Sequence, residues 1–187
     1  MYLKNSYHNN RSGCNPDPMP SNLSSDEAIS LFEDILNSGL SVRVKATGRS
    51  MAPFLDGREV LTIKKVRSSS LRIGDLIFFK TADRVPLLHR IVRKQCKKDM
   101  FLFQTKGDAL LDTDYPVTER DILGKVFGVE RILACGKTRH IDMGCSLWRS
   151  INYLFAVISL YKSKLYFTVQ KSGLYSSFRS IVKKVLI

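Results

Sequence analysis

Between residues 41 and 141 the sequence either alternates apolar and polar residues or runs apolar for a few positions, and turn residues break up the runs. Such spacing leaves room for strands and little room for long helices. Val42, Val44 and Ala46 alternate with Arg43 and Lys45, the pattern of a half-buried strand. Asp56-Gly57 turns the chain, and residues 59–66 return it. Gly74-Asp75 precedes the apolar run Leu76-Ile77-Phe78-Phe79, and further strands are predicted over 87–93 and 100–105. Residues 122–133 form a long strand candidate with bends at Gly124 or Gly128. Cys135-Gly136 then closes a hairpin onto 137–141. Many short strands at this spacing predict a mainly β fold, an antiparallel barrel or sandwich, and no internal repeat is visible.

The flanks differ in kind. Residues 1–23 are rich in Asn, Ser, Pro and Gly and read as a disordered lead-in. Ser24 and Glu27 make a capping-box pattern. Ala28, Leu31, Phe32, Ile35 and Leu36 then share one helical face up to a terminator at Gly39. That helix belongs with the strands in one unit, 24–142. Residues 143–187 contain no acidic residue, whereas Lys or Arg stands at 149, 162, 164, 171, 179, 183 and 184, interleaved with aromatics. Helices of this composition suit either an interfacial seat on anionic lipid or a cap packed on the barrel with its lysines in solvent. The run 151–161 is too short to span a bilayer.

With 187 residues and a formal charge of +13, the chain favours anionic surfaces, lipid or nucleic acid. Cysteines at 14, 96, 135 and 145 lack metal-ligand spacing and read as scattered thiols of a reducing compartment. No apolar segment of a secretory signal is apparent near the start. The expected location is peripheral, on the cytoplasmic side of a membrane.

One stretch carries chemistry. In Gly48-Arg49-Ser50-Met51-Ala52-Pro53, glycine permits a bend and proline directs the exit. The bend presents the Ser50 hydroxyl to a cleft, with Met51 packed beneath or beside it. A serine needs a base within hydrogen-bond reach to act as a nucleophile. His89 stands within an apolar strand, and Asp108 and Asp114 lie among turn residues downstream.

In that order the chain resembles the signal peptidase I family of serine peptidases. The match comprises Gly48-x-Ser50-Met51-x-Pro53-x-Leu55, Gly74-Asp75 with its apolar strand, His89-Arg90-Ile91-Val92, Lys106-Gly107-Asp108, Asp114 and Ile122-Leu123-Gly124-Lys125-Val126. It covers about residues 42–131. The bacterial type places a lysine base where this chain has His89, so the sequence is similar to the Ser-His variant. A lysine, ordinarily near about 10.4, must be desolvated before it accepts a proton at neutral pH, whereas a histidine, near about 6.5, needs only orientation.

The resemblance implies a β-rich serine endopeptidase that processes a precursor, signal or leader peptide without metal or cofactor. Ser50 is the implied nucleophile, His89 the base and Asp114 the carboxylate that orients it. Asp108 becomes a loop-shaping or electrostatic partner. The Ser50 amide is a natural oxyanion donor; the second donor, another amide or Thr47, stays open. Gly48 stands where many members have a serine, and the N-terminal membrane anchor usual in the family is not seen. A related alternative, a self-cleaving repressor-type peptidase of the LexA group, is disfavoured by the histidine and by the lack of a helix-turn-helix pattern. The competing reading from another class is a non-catalytic basic β module that binds anionic lipid or nucleic acid, the peptidase reading itself making nucleic acid an unlikely partner.

Overall fold

The computed structural model describes residues 24–97, 100–133 and 136–171. The predicted lead-in at 1–23, Cys14, Cys135 and the tail beyond 171 lie outside the described residues.

The first helix, α1 (Ser25–Asn37), starts at the predicted capping box. The Glu27 amide donates to Ser24 Oγ at 3.3 Å, and the Ser24 amide donates back to the Glu27 carboxylate at 2.8 Å. It ends at Gly39, whose φ of +77° allows the Leu40 amide to reach back to the Ile35 carbonyl. The buried stripe is Ala28, Ile29, Phe32 and Leu36. Ile29 takes the place expected for Leu31, which stays half-buried. Both sets fit helical spacing, and only the angle of docking on the sheet chooses between them.

Eight strands follow: β1 (Ser41–Lys45), β2 (Val60–Lys64), β3 (Leu76–Lys80), β4 (Pro86–Lys97), β5 (Met100–Lys106), β6 (Val117–Thr118), β7 (Ile122–Ile132) and β8 (Thr138–Asp142). They form one antiparallel sheet in the order β1-β2-β7-β3-β4-β5-β6, with β8 also on β7. The expected mainly β, antiparallel fold is present; of the two forms expected, barrel or sandwich, a closed barrel does not form. The ladder has two ends, β1 and β6, and β6 is two residues long, too short to carry pairing round to β1. β6 has no counterpart in the sequence reading, because two residues carry no period.

The hub is β7. Its eleven residues pair with β2, and with β3 and β8 at successive positions. Its ladders with β3 and β2 slip next to the two glycines flagged in the sequence: Phe78 and Phe79 face Gly124 and Ile122, and Thr62 and Ile63 face Gly128 and Val126. One extra residue at each slip bends the strand. Gly124 also has no room for a side chain, since a Cβ there would lie 2.7 Å from the Lys64 carbonyl oxygen.

The sheet is apolar on both faces. One face, with Leu76 and Phe78 of β3, packs on α1 and on Met51, Phe54 and Leu55 of the Ser50 turn. The other, with Ile77 and Phe79, packs with Ile91, Phe103 and Ile122. That is why β3 reads as a continuous apolar run and not as an alternating one.

The last described element is α2 (Ser146–Lys171). It packs on the sheet through Asn152, Ala156, Ser159 and Ser163, all buried. Tyr153 and Asn152 pass so close to Gly74 that a Cβ there would meet the Tyr153 amide nitrogen at 2.7 Å. No helix among the described residues is long and apolar enough to cross a membrane.

Candidate active site

The predicted nucleophile sits on the turn that leaves β1. Gly48 takes φ +88°, the Ala52 amide donates to the Arg49 carbonyl, and the Ala52–Pro53 peptide is cis. Buried Glu59 holds the return limb: its carboxylate accepts from the amides of Asp56, Gly57 and Arg58 and from Arg131 Nε. Arg131 also donates to the Phe54 carbonyl at 2.6 Å, which fixes the turn to β7.

Met51 is buried beside Ser50, as the sequence predicts. Both line a cavity of about 60 Å³ with Thr47 and Gly48 and with apolar side chains of β1 to β4, among them Val44, Ile63, Phe78 and Leu88.

His89 and Asp114 are joined. His89 Nδ1 lies 2.7 Å from Asp114 Oδ2, and Thr105 Oγ1 donates to the same oxygen at 2.7 Å. The Asp114 amide donates to the Thr105 carbonyl, which fastens the aspartate's loop to the end of β5. Burial pushes the Asp114 carboxyl up, but the hydrogen bonds from His89 and Thr105 and the charges of His89 and Lys106 outweigh it, leaving the group below its usual range. His89 is 3% exposed, and its Nε2 has no protein partner among the described residues.

The two halves approach at one corner. Pairing of β4 with β5 stops at Arg90 and Lys106, so His89 and Gly107 come next along the diverging strands. Gly107 lies against the nucleophile's turn: a Cβ there would come 2.7 Å from the Ser50 carbonyl oxygen. The Ala109 amide donates to that same oxygen at 2.8 Å. Strand alternation sends Leu88 into the cavity beside Ser50 and His89 towards the opposite face. No hydrogen bond joins Ser50 Oγ to His89 among the described residues.

Asp108, expected to shape the loop, accepts two parallel bonds from Arg90, at 2.8 and 2.7 Å. Arg90 is fully buried. It also donates to the Gly74 carbonyl and to Asn152 Oδ1, and lies over the rings of Phe54 and Phe155 at 4.7 and 5.2 Å. One guanidinium therefore ties the Asp108 loop, the Gly74 turn, the Ser50 turn and α2 together.

Sequence reading assigned no role to Arg90, Thr105, Lys106, Asn152, Ser159 or Ser163. Lys106 is fully buried and donates to the Leu110 carbonyl and to Ser159 Oγ, both at 2.6 Å. Burial, followed by the charge of Lys162, lowers its pKa against the pull of Asp108, Asp112 and Asp114. Ser163 Oγ donates to the Leu111 carbonyl at 2.6 Å. Helix α2 thus holds the 107–111 loop whose Ala109 amide holds Ser50. Charges next to His89 and Gly107 were a visible signal, because a charge placed in a buried strand requires partners. No spacing rule, however, points to an asparagine sixty-two positions away.

Among the described residues no group of three or more His, Cys, Asp or Glu is placed to hold a metal ion. Cys96 and Cys145 are free, exposed thiols. No family model matches this chain, and no curated protein matches it.

Proposed function

We propose that the chain is a serine endopeptidase of the signal peptidase I type, acting on an extended precursor or leader peptide. The observation that carries this reading is the bond between His89 and Asp114, with Nε2 of the histidine without a partner among the described residues. The carboxylate at Nδ1 sets the tautomer in which Nε2 accepts a proton. Ser50 Oγ adds to the scissile carbonyl and His89 takes the hydroxyl proton. Collapse of the tetrahedral intermediate breaks the C–N bond, and His89 returns the proton to the leaving amine. Water then cleaves the acyl-enzyme by the same route. The Ser50 amide, which has no acceptor among the described residues, is available to the oxyanion. β1 is an end strand, so a peptide can add to its free edge and place a small apolar residue in the neighbouring cavity.

The test is incubation with precursor peptides, with cut sites mapped by mass spectrometry, alongside labelling by a serine-directed probe. The expected result is cleavage after small residues and labelling at Ser50. The missing Ser50–His89 bond and the charge of +13 favour the second reading, a non-catalytic basic β module. That reading requires no cleavage, no labelling and salt-sensitive binding of anionic polymers.

Asp114→Asn separates orientation from folding. Turnover is expected to fall about 10²- to 10⁴-fold, because the amide can favour the wrong tautomer of His89. A carboxyl with a depressed folded pKa stabilises the protein above its unfolded value, near about 3.9, and loses that contribution as pH falls through the folded value. The melting difference between wild type and Asp114→Asn should therefore be full at neutral pH and shrink below about pH 4. Equal melting differences at pH 7 and pH 3 would remove Asp114 from this pairing.

A further inference from the structure

The residues that helix α2 buries most deeply, Asn152, Ala156, Ser159 and Ser163, are small or polar, with Trp148 and Phe155 half-buried beside them against Phe54. The outer face of the helix carries Leu147, Leu154, Val157, Ile158, Tyr161 and Leu165. At 3.6 residues per turn these six fall within one stripe roughly 27 Å long. Leu147 is 67% and Tyr161 69% exposed, and Leu154, Ile158 and Leu165 are each more than half exposed. Soluble proteins seldom leave so continuous an apolar stripe uncovered without a partner for it.

Charge decides between possible occupants. Lys162 and Lys164, both exposed, stand on opposite sides of the stripe, and no acidic residue follows Asp142 anywhere in the sequence. A second copy docking through this stripe would bring two such basic surfaces together, and the sequence beyond residue 171 offers Arg179, Lys183 and Lys184 but no carboxylate. An anionic bilayer accepts both features at once. Leucine, isoleucine and tyrosine enter the headgroup–acyl boundary, and flanking lysines reach lipid phosphates while their stems cover apolar surface.

We propose that the outer face of α2 is a membrane-docking surface for anionic lipid, lying in the interface plane. The inner face keeps the helix fixed to the sheet, so docking would set the protein at one orientation to the bilayer. The proposal does not rest on the peptidase reading.

Co-sedimentation of the full chain with phosphatidylcholine vesicles, and with vesicles that also contain phosphatidylglycerol, tests it. The wild type is expected to bind the anionic vesicles and to weaken with salt. Leu154→Glu/Ile158→Glu should lose about tenfold or more of that affinity, because both apolar burial and charge attraction are reversed. Melting should be unchanged, since both side chains are exposed; Leu154→Ser/Ile158→Ser repeats the test if carboxylates there disturb folding. Wild-type protein that ignores anionic vesicles, or a stripe variant that binds them as well as wild type, overturns the proposal. So does a wild-type dimer in solution that the same substitutions dissociate. Cleavage of soluble peptides by the stripe variants would be unaffected, so loss of vesicle binding and failure of the peptidase reading give different results.

Discussion

Ser50→Ala is expected to lower cleavage by about 10,000-fold or more while the melting temperature stays within a degree or two of wild type. The hydroxyl supplies the electron pair that forms the acyl-enzyme, and no neighbouring group replaces it. The fold should not notice the change. Ser50 holds its surroundings through its main-chain carbonyl, which accepts from Ala109, and through the cavity wall it shares with Met51. Neither depends on Oγ. His89→Ala should match the loss in rate, and the double variant should be little worse than either single one, since the pair acts as one unit. Residual cleavage by Ser50→Ala at the same bond and a similar rate would remove the serine from the chemistry.

Asp108→Ala is expected to act in the opposite way, on stability first. It leaves the Arg90 guanidinium, fully buried, without its counter-charge. Breaking such a pair from one side costs about 3–5 kcal/mol, which for a chain of this size lowers the melting temperature by roughly 10 °C. Arg90→Met/Asp108→Leu should recover part of that loss, because it removes both charges and leaves only the Gly74 and Asn152 carbonyls short of a donor. Truncation after Asp142 belongs to the same class. It strips Asn152 from Arg90 and Ser159 from Lys106, so it should loosen the 107–111 loop as well as detach any membrane-facing surface. A truncated chain with wild-type melting would show that α2 contributes nothing to the core.

The contrast among these variants follows from which contacts each side chain makes. Asp114 is half-buried and bonded to a histidine and a threonine. Asp108 is sealed beneath a guanidinium. In the sequence the two look alike: both are aspartates among turn residues after a strand. Only the direction in which each loop folds back gives one an imidazole partner and the other a buried guanidinium.

Much of the architecture was legible because it is local. Alternation at 42–46, the apolar run at 76–79, the strand candidate at 122–133 and a capping box at Ser24 each depend on residues within a few positions of one another. Those signals survive whatever the rest of the chain does. They also located the bends in β7, because a glycine in a strand marks a slip or a close approach. Closure of the sheet was not legible. It depends on whether β1 and β6 meet, and the two residues of β6 have no period to betray them.

The sequence by itself determined the class of fold, the order of Ser50, His89 and Asp114, and the excess of positive charge after Asp142. Tertiary structure alone decided that Arg90 gathers four segments and that α2 turns its small polar residues inward. The last point has a plain physical reason. A helix with apolar residues on most of its surface can bury any of several stripes, and hydropathy favours the largest side chains. Here the sheet already presents Arg90 and Lys106, buried cations that need oxygen partners. Asn152 and Ser159 complete their hydrogen bonding, and leucine or isoleucine in those places would leave each cation short of one buried acceptor.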